Sequence, residues 1–404
     1  MPAWIIRIKT IALAGAILLG LAFSLSACAP EPRPQVTARD ALQKVPEDEW
    51  PVLYDDMDAQ SFYEACQQSL AYFDRIPPER EFHFGDYAVT AAQMAQGITR
   101  LQDILLRYPD AMARTEALKK EFMLFASVGR DGQGEVLFTG YYEPMLKARR
   151  ERSDSFKYPL YALPDDLVWI DLRKFGPDFP KKRLVGQVRS HRVVPFPDRE
   201  AIDFKNAIKD SAKVLAYIDD PVDAFFLHIQ GSGQVIFADE SRLRLGYAAT
   251  NGHPYRSIGR LLLKEGLMEP DSMSMQAIKR FLAQNPEHLR RVLTHNPSYV
   301  FFRPLEAVGG PLGCYEVPLT AGRSIATDRR IFPGLAVCFI QGQTPIPNGG
   351  VAPFMRLVLN QDTGGAIRGP GRLDLFYGTG TLAGELAGRM KHEGRLFFLA
   401  PRRP

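Results

Sequence analysis

The chain has 404 residues, 46% hydrophobic and 24% charged, enough for two domains with buried cores and unlike the composition of a disordered protein. Its formal net charge is +4, and two of the positive residues, Arg7 and Lys9, lie in a leader expected to be removed, which leaves +2. That balance excludes the dense basic patch of a nucleic-acid binder, so no nucleic acid is expected as a partner.

Arg7 and Lys9 precede an apolar run from Ile11 to Phe23 that has the length of a signal-peptide core and is short for a membrane span. The run ends in Leu25-Ser26-Ala27-Cys28, which resembles a bacterial lipobox, with small residues before a cysteine that is acylated and becomes the first mature residue. Residues 1–27 are therefore expected to be a lipoprotein signal peptide and Cys28 the lipidation site. Each buried CH₂ of an acyl chain contributes about 0.8 kcal/mol, so several chains on one residue anchor durably. Ala29 in place of an aspartate at the second mature position reads as an outer-membrane address, with the protein on the periplasmic face and its acyl chains in the inner leaflet. The Pro-rich stretch from Ala29 to Pro34 opens a stiff tether, expected over 28–48.

From Trp50 to Phe125 the pattern is mostly helical, with Leu101, Ile104, Leu105 and Tyr108 at i, i+3, i+4, i+7. After Gly132 and Gly134 it turns to β, and Val136 to Pro144 reads as a strand stopped by proline. From about 145 to 250, short apolar segments between proline and glycine turns, including Phe225 to Ile229 and Val235 to Phe237, predict a compact β-domain. Two helices follow, one capped by Ser274 and one opened by Asn285-Pro286. Beyond Pro297, strands are predicted near 300–302, 335–340, 355–360, 373–377 and 396–399.

Three cysteines, Cys66, Cys314 and Cys338, remain after Cys28. Cys314 and Cys338 could bridge, or all could be buried thiols. There is no CxxC or HExxH, and the nearest histidines, His288 and His295, are two helical turns apart, so no metal site and no cofactor are expected.

The stretch Leu357 to Tyr377 concentrates the candidate chemistry: two strand segments carrying Asp362 and Asp374, joined by a loop with Gly364, Gly365, Gly369 and Gly371 that can fold tightly. Asp362-Thr363-Gly364 has the D-T-G of aspartic proteases, but polar Asn360 and Gln361 precede it and the chain carries only one copy. Gly231-Ser232-Gly233 is not a nucleophile elbow, which needs glycines two positions from serine, and reads as a tight turn facing a ligand. Tyr141, Tyr142, Tyr299, Phe301, Phe302 and Tyr377 fall at strand ends, where rings can floor a sugar-binding cleft.

With these motifs in order, the chain resembles the membrane-bound lytic murein transglycosylase A proteins of Gram-negative bacteria. The resemblance is carried by Thr139 to Pro144, Gln230 to Gly233, Tyr247 to Leu262, Met273 to Ile278, Asn296 to Phe302, Ala326 to Arg329 and Asp362 to Gly378. It implies an α+β, mainly β fold: a double-ψ β-barrel from residues 49–143 and 306–404, a second β-rich domain inserted over 144–305, and a groove between them. It implies peptidoglycan glycan strands as substrate, cell-wall synthesis or division proteins as candidate partners, and no cofactor. It carries Asp374 over as the catalytic residue, Asp362 beside it and Asp328 as a supporting acid. Thr139, Tyr141, Tyr142, Glu143, Gln230, Gly231, Ser232, Tyr299 and Arg372 are carried over as substrate-binding. The implied reaction is cleavage of the β-1,4 bond between N-acetylmuramic acid and N-acetylglucosamine without water, forming a 1,6-anhydro ring. A water-using muramidase and a non-catalytic wall-binding lipoprotein are the alternatives.

Overall fold

A computed structural model of the chain describes residues 36–270, 273–305 and 309–403. The leader, the lipobox and Cys28 lie outside the described residues. The first strand, β1 (Leu42–Lys44), falls within the stretch expected as a tether and pairs with a barrel-side strand instead. Residues 37–404 form one unit.

The N-terminal part places α1 (Ala59–Phe73), the hairpin β2 (Glu81–Phe84) and β3 (Tyr87–Thr90), α2 (Ala91–Arg107) and α3 (Ala111–Glu121) ahead of β4 (Phe122–Ser127) and β5 (Val136–Glu143). Local sequence sets each helix start. Asp58 and Asp110 accept backbone N–H groups at the first turns of α1 and α3, and Thr90 with Gln93 forms a reciprocal capping box on α2.

Residues 145–305 contribute β6 (Met145–Arg149), β7 (Tyr158–Tyr161), β8 (Leu167–Asp171), β9 (Arg183–Arg189), β10 (Arg192–Pro195), α4 (Arg199–Lys205), β11 (Val214–Ile218), α5 (Pro221–Gln230), β12 (Gly233–Ile236), β13 (Arg242–Thr250), α6 (Ile258–Lys264), α7 (Met275–Gln284), α8 (Pro286–His295) and β14 (Val300–Leu305). Six strands pair in the order β14-β13-β12-β6-β11-β7, and a bridge between Ala162 and Phe302 draws the two edges together. A separate sheet, β10-β9-β8, is antiparallel throughout. The cap at Ser274 forms as predicted, its side chain accepting from Ala277 N, and Pro286 opens α8.

The C-terminal part supplies β15 (Ser324–Ala326), β16 (Val337–Pro345), β17 (Val351–Asp362), β18 (Arg372–Thr379), α9 (Thr381–Arg389) and β19 (Lys391–Pro401). The order β19-β16-β17-β15-β18-β5 closes on itself through β19–β5 pairing, with Lys391 opposite Thr139, giving a six-stranded barrel. Two parallel pairings, β15 with β17 and β18 with β5, cross within an otherwise antiparallel barrel, as a double-ψ arrangement requires. Phe138, Phe339, Phe398, Leu357, Leu373 and Leu375 fill its interior.

Two expectations are corrected, and the alternative left open for the cysteines is decided. Phe225 to Ile229 is helical in α5 rather than a strand. Asp220 caps that helix and Pro221 opens it, and burial around most of its circumference erases the 3.6-residue polarity that would have identified it. Tyr299, Phe301 and Phe302 lie in the core of the inserted part, not on a cleft floor, because β14 is buried on both faces. Cys66, Cys314 and Cys338 are all free thiols.

Candidate active site

Alternation along β18 decides where its carboxylate points. Leu373 and Leu375 enter the barrel core, so Asp374 between them projects outward. Thr139 on β5 is registered opposite Asp374, and its hydroxyl donates to Asp374 Oδ1. Arg372, two residues earlier on the same face, donates through Nε to Oδ1 at 3.0 Å and through Nη2 to Oδ2 at 3.3 Å; Nη2 also reaches Thr139 Oγ1 at 3.2 Å. The Asp374 side chain keeps 17% of its surface open.

Asp362 ends β17, and Ala326 of the intervening β15 is registered against both Asp362 and Asp374. The two acids thus flank one short strand, with backbones about 10 Å apart, two strand spacings. Asp362 Oδ1 accepts N–H groups from Thr363 at 2.8 Å and Cys314 at 2.9 Å. Burial nevertheless pushes its carboxyl up to about 6; the two N–H groups and the Tyr141 hydroxyl work against the rise, and the charge of Asp374 adds to it. The Tyr141 phenol is held well above its ordinary value by burial and then by Asp362. Burial also pushes the Cys314 thiol up to about 12, with Asp362 adding to the rise.

Asp328 behaves oppositely. Burial works to raise it, but the Arg330 guanidinium and the backbone N–H groups of Gly369 and Arg330 hold it below the usual carboxylate range. Arg330 donates to both its oxygens, and Gly369 N–H donates at 2.8 Å. Asp328 therefore pins the loop between β17 and β18, where Gly369 sits at φ +75°. Gly371 in that loop admits the Arg130 backbone so closely that a Cβ would lie 2.6 Å from its nitrogen.

The structure divides the residues implied as substrate contacts. Thr139, Tyr141 and Arg372 gather around the two acids. Gln230 Oε1 accepts from Tyr142 N at 3.2 Å, which brings the Gln230-Gly231-Ser232 turn against β5, and the Cβ side of Gly231 is open. Tyr142, Glu143 and Tyr299 are corrected to structural positions. The Tyr142 ring packs on Gly384 of α9, and its hydroxyl lies 3.9 Å from Met275 Sδ. Tyr299 is enclosed with His228 and Arg199 in the inserted part. Glu143 has no exposed surface, and its carboxylate accepts from Gln234 at 2.8 Å and Thr379 at 2.8 Å and pairs with Arg244 at 3.1 Å. It locks β5 and β18 of the barrel to β12 and β13 of the inserted sheet.

Two exposed aromatics fall within the motif Tyr247 to Leu262 but were not named singly by the sequence reading. Tyr255, ahead of α6, lies within electrostatic reach of Arg372, and Tyr247 of β13 within reach of Arg329. Both belong to the inserted part, while both arginines belong to the barrel. Among the described residues no group of histidine, cysteine and carboxylate side chains could hold a metal ion.

Residues 137–303 match a family model described as the MltA specific insert domain, and residues 323–400 match the 3D domain. The membrane-bound lytic murein transglycosylase A of Escherichia coli K12 is 36% identical over 275 residues, 67% of each chain. The chain belongs to the membrane-bound lytic murein transglycosylase A family. A crystal structure of a membrane-bound lytic murein transglycosylase from Agrobacterium tumefaciens superposes with TM-score 0.74 at 32% identity, over 90% of this chain and 98% of that one. The Escherichia coli MltA structure with bound chitohexaose matches with TM-score 0.69 at 26% identity, over 92% and 97%. For this family member, the match with both domain models accounts for the closed barrel and the inserted sheet.

Proposed function

We propose that the protein is a lytic transglycosylase of peptidoglycan, with Asp374 serving first as acid and then as base. The observation that carries the reading is the outward Asp374, held by Thr139 and Arg372, and the family resemblance supports a groove beside it whose other wall is the inserted part. A glycan in that groove would place its glycosidic oxygen at Asp374. Proton delivery to that oxygen lets the bond to the muramoyl C1 break, with oxocarbenium character at C1. The Asp374 carboxylate then accepts the proton of the C6 hydroxyl as that oxygen attacks C1, closing the 1,6-anhydro ring. Arg372 must loosen from Asp374 for the acid step, and a sugar hydroxyl entering beside Thr139 is the natural displacing group.

A second carboxylate across the sugar would open hydrolysis. Asp362 instead lies along the same barrel wall, enclosed by Tyr141 and two N–H groups, which supports tuning of Asp374 through charge rather than activation of water. The relatives are named for lytic action on murein, and one of them binds chitohexaose, which supports a glycan substrate here. The lipobox at Cys28 and the relatives' membrane-bound name support an acyl anchor on the periplasmic face of the outer membrane. No helix among the described residues is long and apolar enough to cross a membrane.

Mass spectrometry of digested sacculi tests the reaction. Products short of one water are expected, while hydrated reducing ends would establish hydrolysis and no release would establish binding alone. Asp374→Ala is expected to fold normally and lose on the order of 10³-fold in turnover. Undiminished activity in that variant would remove Asp374 from the mechanism.

A further inference from the structure

The β8–β10 sheet carries a surface the reaction does not use. Its inner face is accounted for, since Leu167 and Gln187 are buried and Val185 packs against the inserted core. Register puts Val193 opposite Val188 and Leu184 opposite Ile170 on the outer face. There Val188 is 58% exposed, Val193 53% and Leu184 39%. The connection from β8 to β9 adds Phe175 and Phe179, 64% and 48% exposed with ring centroids 6.0 Å apart, while Trp169 on the edge strand is registered with Val185 and belongs to the other face. Charge is equally uneven. Between Asp171 and Val193 lie seven lysines and arginines, all exposed, against two aspartates. That surplus of five exceeds the +4 of the entire chain, so the remainder is slightly acidic.

We propose that this sheet is a membrane-contact face that rests on anionic phospholipid headgroups, independently of any acyl anchor and of the reaction proposed above. Protruding aliphatic and aromatic side chains gain by entering the boundary between headgroups and acyl chains, while the surrounding cations meet lipid phosphates. Arg173, Lys174, Lys181 and Lys182 lie in the same connection as Phe175 and Phe179, so exposed cations border the apolar patch at that end, whereas alternation puts Arg183, Arg189 and Arg192 on the face of Val185. A glycan would meet the charges but would gain nothing from Val188 and Val193 standing in water. Contact with lipid satisfies both features at once. It would also set the inserted part close to the bilayer while the groove stays free.

Phe179→Trp made together with Trp169→Phe supplies the probe, because Trp169 shares a face with Val185 and Trp50 is buried. The mature, acylated protein is reconstituted in phosphatidylcholine vesicles with or without phosphatidylglycerol, with bromine on the acyl chains as the quencher, and Trp169→Phe alone sets the baseline. The introduced indole should be quenched only in the vesicles with phosphatidylglycerol, and molar salt should reverse it. Lys181→Glu with Lys182→Glu should lower the contact population more than tenfold, since each cation near the surface contributes on the order of fivefold. Val188→Asp with Val193→Asp should return quenching to the baseline, and cleavage of soluble glycan should be unchanged in both variants. Equal quenching in both vesicle types, or none in either, overturns the proposal. So does a Val188→Asp/Val193→Asp variant that dissociates an oligomer in sedimentation while quenching of the introduced indole persists.

Discussion

Two neighbouring carboxyl groups on one barrel wall are treated differently by their surroundings. Asp328 is held charged by Arg330, whereas Asp362 is raised to about 6 by burial that its two N–H donors do not offset. The folded chain thus binds the Asp362 proton more tightly than the unfolded chain does. The stabilisation this gives is complete below about pH 4 and is lost as pH rises through 6. Asn in its place keeps an oxygen for the Cys314 and Thr363 N–H groups and carries no charge. Asp362→Asn is therefore expected to match the wild type in denaturant unfolding at pH 4 and to exceed it by on the order of 2 kcal/mol at pH 7.5. A difference independent of pH would mean that burial does not strain this carboxyl. Arg372 makes a complementary case: Arg372→Met removes two charge-assisted bonds to Asp374 and should lower kcat on the order of tenfold with little change in thermal unfolding. At this scale the three aspartates were legible through the resemblance, but not their separate environments. The fork from Arg330 and the N–H groups from Cys314 and Gly369 depend on loop closure, and no spacing in the chain encodes it.

Elements show why some of the fold could be read and some could not. The strands after Pro297 alternate or run apolar between glycine and proline turns, and each falls close to where the pattern predicts it. Helix α5 was misread because Phe225, Phe226 and Leu227 are buried together, so that hydrophobicity carried no period; Asp220-Pro221 was the available signal. Contact between elements is decided at single positions. Gly140 on β5 lies under α9, and a Cβ there would stand 2.7 Å from Ala387 Cα. Gly140→Ala must push α9 off the strand that carries Thr139 and Tyr141. A loss of about 1–3 kcal/mol is expected in chemical denaturation, with activity falling further than stability because the shift reaches the site directly. Unchanged stability would show that α9 is free to move.

At the scale of the whole molecule, the barrel and the inserted part meet at a buried ion pair. Glu143 is sealed from solvent and Arg244 nearly so, and Gln234 and Thr379 satisfy the remaining oxygen of the carboxylate. Removing one partner of such a pair strands a charge. Glu143→Ala is thus expected to cost about 3–5 kcal/mol in unfolding. Glu143→Gln, which keeps an oxygen for Gln234 and Thr379 but not the charge facing Arg244, should cost less and should raise KM more than it lowers kcat, since it loosens the junction without touching Asp374. The sequence reading placed Glu143 on the substrate because it stands beside Tyr141 and Tyr142 in one motif. Three consecutive residues serve a site, a core and a junction, and only the register of β5 separates them.

The barrel's closure has a further consequence for how the protein comes into being. Strand β5 begins at Val136, yet the partner that seals it, Lys391–Pro401, follows only after the whole inserted part in the chain. The inserted part, complete by Leu305, has all its strands much earlier. A chain clipped ahead of Lys391 is therefore expected to leave the wall that carries Thr139 unsealed, whatever becomes of the inserted part. A potentially autolytic activity is in this way withheld until the closing strand is in place.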